Sequence, residues 1–238
     1  MKRTATTFSI LLAAVVALAA FTADASAWPL RSPQLVLPPT SSDGTTLQDY
    51  FNSVGETINV QTQQLDAQVW DGSAIGNSTF TLLIELAGNA AQNNIGVYNS
   101  DAGPSPALFQ LFPGAAVGGW YVTAHFGGGN LSVALFDGSG AYQGSTNYTG
   151  VNANSFAFYL QGPGGTFYSQ DARNGGGKPQ MLTYAGTGIN DGDWFECFED
   201  LPMAAGSDGD FQDAVLLLQA VVPTPTQRKS WGSVKTGF

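Results

Sequence analysis

From residue 80 onward the chain is cut into apolar stretches of four to nine residues, each closed by Gly, Pro, Asn, Ser or an acidic turn. Stretches this short do not build a helical bundle, whereas strands joined by turns need no more length than this. They cover 80–86, 95–98, 107–112, 120–126, 131–136, 156–161, 166–169 and 180–184, followed by 194–198 and 214–222. Within 120–126, Trp120, Val122, Ala124 and Phe126 fall on one side and Tyr121, Thr123 and His125 on the other, the alternation of a half-buried strand. Leu131, Val133 and Leu135 line up in the same way. About ten strands at short spacing predict an all-β fold, a jelly-roll-like antiparallel β-sandwich over residues 45–222. Thirty glycines, twelve prolines and a charged fraction of 11% suit such a fold. No fixed period recurs, which disfavours a solenoid or propeller.

Upstream the signals are sparser. Leu47, Tyr50, Phe51 and Val54 have the i, i+3, i+4, i+7 spacing of an amphipathic helix, so residues 46–54 are predicted as one short N-terminal helix. Residues 57–60 and 67–70 are weaker strand candidates, and the Pro-rich 28–44 is expected to be an extended lead-in.

The two ends differ from the middle. Met1-Lys2-Arg3, the apolar run 8–21 and Ala25-Ser26-Ala27 have the three zones of a secretory signal peptide, predicted to end at residue 27. Its 14 apolar residues fall short of the roughly 20 that span a bilayer. The expected location is secreted or at the cell surface, with no membrane span in the mature chain. Without residues 1–27, six basic face seventeen acidic residues, a net charge of −11. No Lys or Arg occurs between Arg31 and Arg173, so no basic stripe for nucleic acid can be assembled there. After residue 222 the Pro223-Thr224-Pro225-Thr226 spacer and a tail with Arg228, Lys229 and Lys235 around Trp231 are expected to lie outside the fold, the tail as disordered chain or an attachment segment. Cys197 is the single cysteine, so no internal disulfide forms, and its apolar surroundings predict a buried hydrophobe.

The chemistry concentrates in 191–213, which carries eight carboxylates (Asp191, Asp193, Glu196, Glu199, Asp200, Asp208, Asp210, Asp213) and no cationic side chain. Crowded carboxylates raise one another's pKa unless they face water or share a cation. The flanking strands 194–198 and 214–222 and the Pro/Gly/Ser-rich loop between them read as a hairpin that gathers oxygen ligands at one sheet edge. Hard cations such as calcium take six to eight oxygens, and the turn at 207–213 offers several. The expected ligand set is Glu199, Asp200, Asp208, Asp210 and Asp213, with Asp191 and Asp193 as outer candidates and calcium in a structural role. The spacing is not that of an EF-hand. A solvated acidic turn, with Asp side chains bonding nearby N–H groups, is the alternative.

The segment 192–215, GDWFECFEDLPMAAGSDGDFQDAV, resembles the signature of a bacterial extracellular family, domain of unknown function 4114, with its GDW, FED and SDxDFxDAV elements. The likeness continues through Tyr184-Ala185-Gly186-Thr187-Gly188 and Gly165-Thr166-Phe167-Tyr168-Ser169 and covers about 83–222; Gln212 stands where the family usually has Asn. This resemblance implies an exported β-rich domain with a calcium site and implies no known activity.

Catalytic arrangements are thin. Glu196 and Asp200 share strand parity and would be the carboxylate pair of a glycoside hydrolase, whereas Glu196 and Glu199 fall on opposite faces. One histidine, His125, and one cysteine leave neither a nucleophilic triad nor a zinc site. The glycine-rich pieces 127–129, 162–165 and 175–177 lack a Walker lysine and read as turns. Aromatic residues Trp70, Trp120, Tyr121, Tyr148 and Tyr168 would stack on sugars if exposed, although core packing is the commoner fate. The expectation is therefore an exported, non-catalytic structural or adhesive module with a glycan or surface protein as partner; the alternative is a carbohydrate-binding module.

Overall fold

The computed structural model describes residues 29–39, 44–73, 76–87, 89–203 and 206–225; the predicted signal peptide and the basic tail lie outside them. In chain order come α1 (Leu47–Ser53), β1 (Ala67–Asp71), β2 (Asn77–Glu85), β3 (Asn94–Asn99), β4 (Phe109–Phe112), β5 (Tyr121–Gly127), β6 (Asn130–Phe136) and β7 (Tyr142–Thr149). They are followed by β8 (Phe156–Gly162), β9 (Gly165–Tyr168), β10 (Met181–Ala185), β11 (Trp194–Phe198), β12 (Ala214–Gln219) and β13 (Val222–Pro225). The strands form two antiparallel sheets, one ordered β10-β11-β12-β2-β5-β6-β7 and the other β13-β1-β8-β3-β4 with β9 also on β8. Among the described residues, the predicted β-sandwich and one short α-helix are both present.

The alternation in the sequence sets what lies between the sheets. Val122, Ala124 and Phe126 of β5 and Leu131 and Val133 of β6 point inward with Phe80, Leu82, Trp194 and Leu216, facing Trp70, Val97, Phe156, Phe158 and Leu160 of the other sheet. Trp70 joins the two layers: its ring meets Phe158 at 5.9 Å and Trp194 at 6.0 Å, both edge-on. Such pairs prefer tilted geometry because the ring face is negative and the edge positive.

A second apolar cluster lies on the opposite side of the seven-stranded sheet. Leu182, Tyr184, Phe195, Cys197 and Val215 face away from the sandwich interior, and Leu47 and Phe51 of α1 cover them together with Val36, Ile58 and Val60. Thr46 caps the helix, its Oγ1 accepting the Asp49 N–H at 3.0 Å. The segment 29–39 packs here as well: Leu30 bridges Leu65, and Leu37 N–H donates to the Gly209 carbonyl at 2.9 Å.

Three expectations need correction. Residues 57–60 are not a strand; a turn at 59–62 is held by glutamine amides, with Gln61 bonding both the N–H and the carbonyl of Val36 and Gln48 accepting Val60 N–H. β7 carries almost no apolar alternation because it is an exposed edge, and for that reason its sequence gives little strand signal. The Pro/Thr spacer does not start outside the fold, since β13 runs through Pro225 and pairs with β1. Prolines are tolerated there because an edge strand needs no N–H on its open side.

Candidate metal centre

The hairpin β11–β12 forms in the predicted place, with Trp194 opposite Leu218 and Phe198 opposite Ala214. Its loop folds back so that Glu199, Asp200, Asp208, Asp210 and Asp213 all line one cavity of about 490 Å³, closed on other sides by Pro39, Leu86 and Asn89. Carboxylate oxygens of Glu199, Asp208 and Asp210 lie within 4.8 Å of one another. Asp200 and Asp213 stand beside this triad. Asp200 Oδ2 accepts from Asn93 Nδ2 at 3.0 Å, and Asp213 Oδ2 accepts the Asp200 N–H at 2.8 Å.

The backbone aims the ligands. Phe211 takes φ 54°, a left-handed conformation that costs a non-glycine residue on the order of 1–2 kcal/mol. Its fully buried ring anchors in the outer cluster, and its N–H then reaches Glu199 Oε1 at 2.6 Å. Ser207 Oγ donates to the other Glu199 oxygen at 2.5 Å. Asp210 is held by Gln212, whose N–H and Nε2 donate to its two oxygens at 3.2 and 2.9 Å.

Electrostatically the cavity is under strain. Burial pushes Glu199 up to about 7, with Asp210 and Asp208 adding to the rise against the Ser207 and Phe211 bonds. Burial likewise raises Asp213 to about 8, helped by the charges of Asp200, Glu199 and Asp210. Asp210 is raised by burial too, its bonds to Gln212 opposing the shift. Glu85, at the end of β2 opposite Ala214, was not a sequence candidate. Burial and the neighbouring Asp200 raise it to about 8, and its Oε1 has no hydrogen-bond partner. Only its position closing an otherwise uncharged strand hinted at it.

These residues fit a hard divalent cation. The donor set is all oxygen, with no His or Cys, which suits calcium and not zinc. Gln212 also lines the cavity, is 4% exposed, and leaves its buried Oε1 without a partner. A bound cation would lower the carboxyl pKa values that burial raises.

Other sequence candidates are placed elsewhere. Asp191 and Asp193 precede β11, at its far end from Glu199, and Asp193 accepts from Gln219 Nε2 at 2.9 Å, so neither joins the cluster. Glu196 points between the sheets with no exposure and bonds Thr183 Oγ1 at 2.6 Å; it forms no open cleft with Asp200. Trp70 is fully buried, which removes it as a sugar platform, and Tyr148 is half-buried with its hydroxyl bonded to the Gln110 carbonyl at 3.1 Å. Cys197 is fully buried, and burial drives its thiol pKa upward, with Glu196 adding to the rise.

No family model, curated protein or solved structure matches this chain. Among the described residues no helix is long and apolar enough to cross a membrane.

Proposed function

We propose that the β11–β12 loop binds calcium and that the ion ties the end of this hairpin to the rest of the sandwich, in an exported, non-catalytic module with a structural or adhesive role. The convergence of Glu199, Asp208 and Asp210 within 4.8 Å carries the reading. Two buried carboxylates and a half-buried one repel one another, and a divalent cation converts that cost into binding energy. The orphaned Gln212 Oε1 supports it as a further neutral oxygen at the same cavity. The signal-peptide pattern at residues 1–27 supports export, and the likeness to the domain of unknown function 4114 agrees with both points.

Thermal unfolding tests this. A ligand at a hundred times its Kd stabilises by about 2.7 kcal/mol. At about 2–4 °C per kcal/mol for a chain of this size, calcium should raise Tm by roughly 5–10 °C over EDTA. The double variant Asp208→Asn/Asp210→Asn should lose that response, while Asp49→Asn/Asp101→Asn should keep it. Equal melting in calcium and EDTA would remove the proposal.

A further inference from the structure

The outer face of the seven-stranded sheet is covered at one end only. The helix α1 and its neighbours pack over β10, β11 and β12, whereas Thr123, His125, Ser132 and Asn147 of β5, β6 and β7 remain exposed. Register places their outward residues in rows across the strands. Tyr121, Phe136 and Tyr142 form one row; Thr123, Ala134 and Ser145 the next; Asn77, His125, Ser132 and Asn147 the third. First and third rows are four residues apart, about 13 Å along a strand. The last two rows floor a shallow groove of about 320 Å³.

The aromatic row is built rather than scattered. Tyr121 and Phe136 stack at 5.0 Å with their planes 12° apart, and Tyr142 packs edge-on against Phe136 at 5.8 Å. Tyr142 nonetheless keeps 60% of its surface exposed. Beside it, the side chains of Thr123, Ser132, Ser145 and Asn147 make no hydrogen bond to any other described residue. His125 Nδ1 pairs with Asn77 Oδ1 at 2.8 Å, which orients the ring and leaves Nε2 free for a ligand. No carboxylate, ammonium or guanidinium occurs in the three rows, although the whole chain carries a net charge of −10. That negative charge repels polyanions, and the face has no carboxylate to pair with a cation, so charge favours a neutral ligand.

We propose that this face binds a neutral polysaccharide, with one sugar ring packed on Tyr142 and the hydroxyls of a ring further along the same chain bonded by Ser132, Asn147 and His125. A pyranose has an apolar C–H face and a rim of hydroxyls, and an aromatic edge beside amide and hydroxyl groups matches both. The site shares no residue with the metal centre and stands or falls separately from it.

The test is an array of immobilised glucans, xylans, mannans and galactans, with alginate and hyaluronate as charged controls, probed with the full-length chain in calcium and again in EDTA. Calorimetric titration with an oligosaccharide of the strongest hit follows. A neutral glycan should bind, and Tyr142→Ala and Asn147→Ala should each weaken it by about tenfold, the scale of one lost contact, with Tm unchanged. Absence of neutral-glycan binding, preference for the charged controls, or affinity untouched by both variants would overturn the assignment. So would self-association of the free chain that Tyr142→Ala abolishes while no glycan binds, because the face would then belong to a second copy.

Discussion

Glu196 is fully buried inside the sandwich, and its two oxygens are treated unequally. Oε2 lies 2.6 Å from Thr183 Oγ1 while Oε1 has no partner. The Thr183 hydroxyl also lies 2.9 Å from the Ala67 carbonyl, and it has only one proton to give. If that proton goes to Ala67, Glu196 must donate, and so must be protonated. Burial accordingly raises Glu196 to about 8; the Thr183 bond and Arg31 pull it down, and Asp171 adds to the rise. Because the folded pKa exceeds the ordinary value, this group's contribution is complete below about pH 4.3 and is lost as pH rises through 8. Glu196→Gln keeps the shape and removes the titration. Denaturant unfolding at pH 5, 7 and 9 should show the variant gaining on the wild type as pH rises, by on the order of a few kcal/mol at pH 9. Parallel pH profiles for the two proteins would contradict a neutral Glu196.

At the scale of elements, α1 acts as a cover rather than an independent helix. Seven residues are too few to hold a helix in water, so tertiary packing must supply its stability. Phe51 provides it, meeting Tyr184 at 5.5 Å and Phe195 at 5.0 Å on the back of the sheet. Phe51→Ala should therefore cost about 3–5 kcal/mol, and Thr46→Ala, which removes only the cap, about 1 kcal/mol. Chemical denaturation of both variants checks the ranking, and a near-zero effect of Phe51→Ala would mean that the outer cluster holds without the helix. The loop after β10 depends on the same region. Glu56, buried behind the helix, accepts from Thr187 N–H, Thr187 Oγ1 and Asn190 Nδ2, each at 2.6 Å.

Across the whole molecule, the two sheets share one core and should unfold as one unit. Trp70 touches both layers, and β13 binds β1 while its preceding residue Val221 accepts the Trp194 indole N–H at 3.1 Å. Near-ultraviolet and far-ultraviolet circular dichroism should therefore give coincident melts. Trp70→Ala should cost about 3–5 kcal/mol and lower both transitions together. Two separated transitions would indicate sheets that are stable apart. The proposed metal site is at the hairpin end and the proposed glycan face on β5–β7, so any calcium binding and any glycan binding should be lost through different substitutions.

The β class, the strands with clean alternation, the short helix and the β11–β12 hairpin were legible because period-two and period-3.6 patterns are local properties of the chain. So was the acidic composition of the loop. The predicted strand 194–198 already put Asp191 and Asp193 at the opposite end from Glu199, but which carboxylates at the Glu199 end converge was decided only by the way the loop folds back. Local pattern could not find β7 and β13, which have little apolar alternation and are strands because a neighbouring strand pairs with them. Glu85 and the outward rows of β5, β6 and β7 acquire meaning only through register, and Gln212 only through the fold of the loop. Antiparallel pairing brings side chains far apart in sequence to a few ångströms, and the layer packed on one end of a sheet decides which part of its outer face stays open.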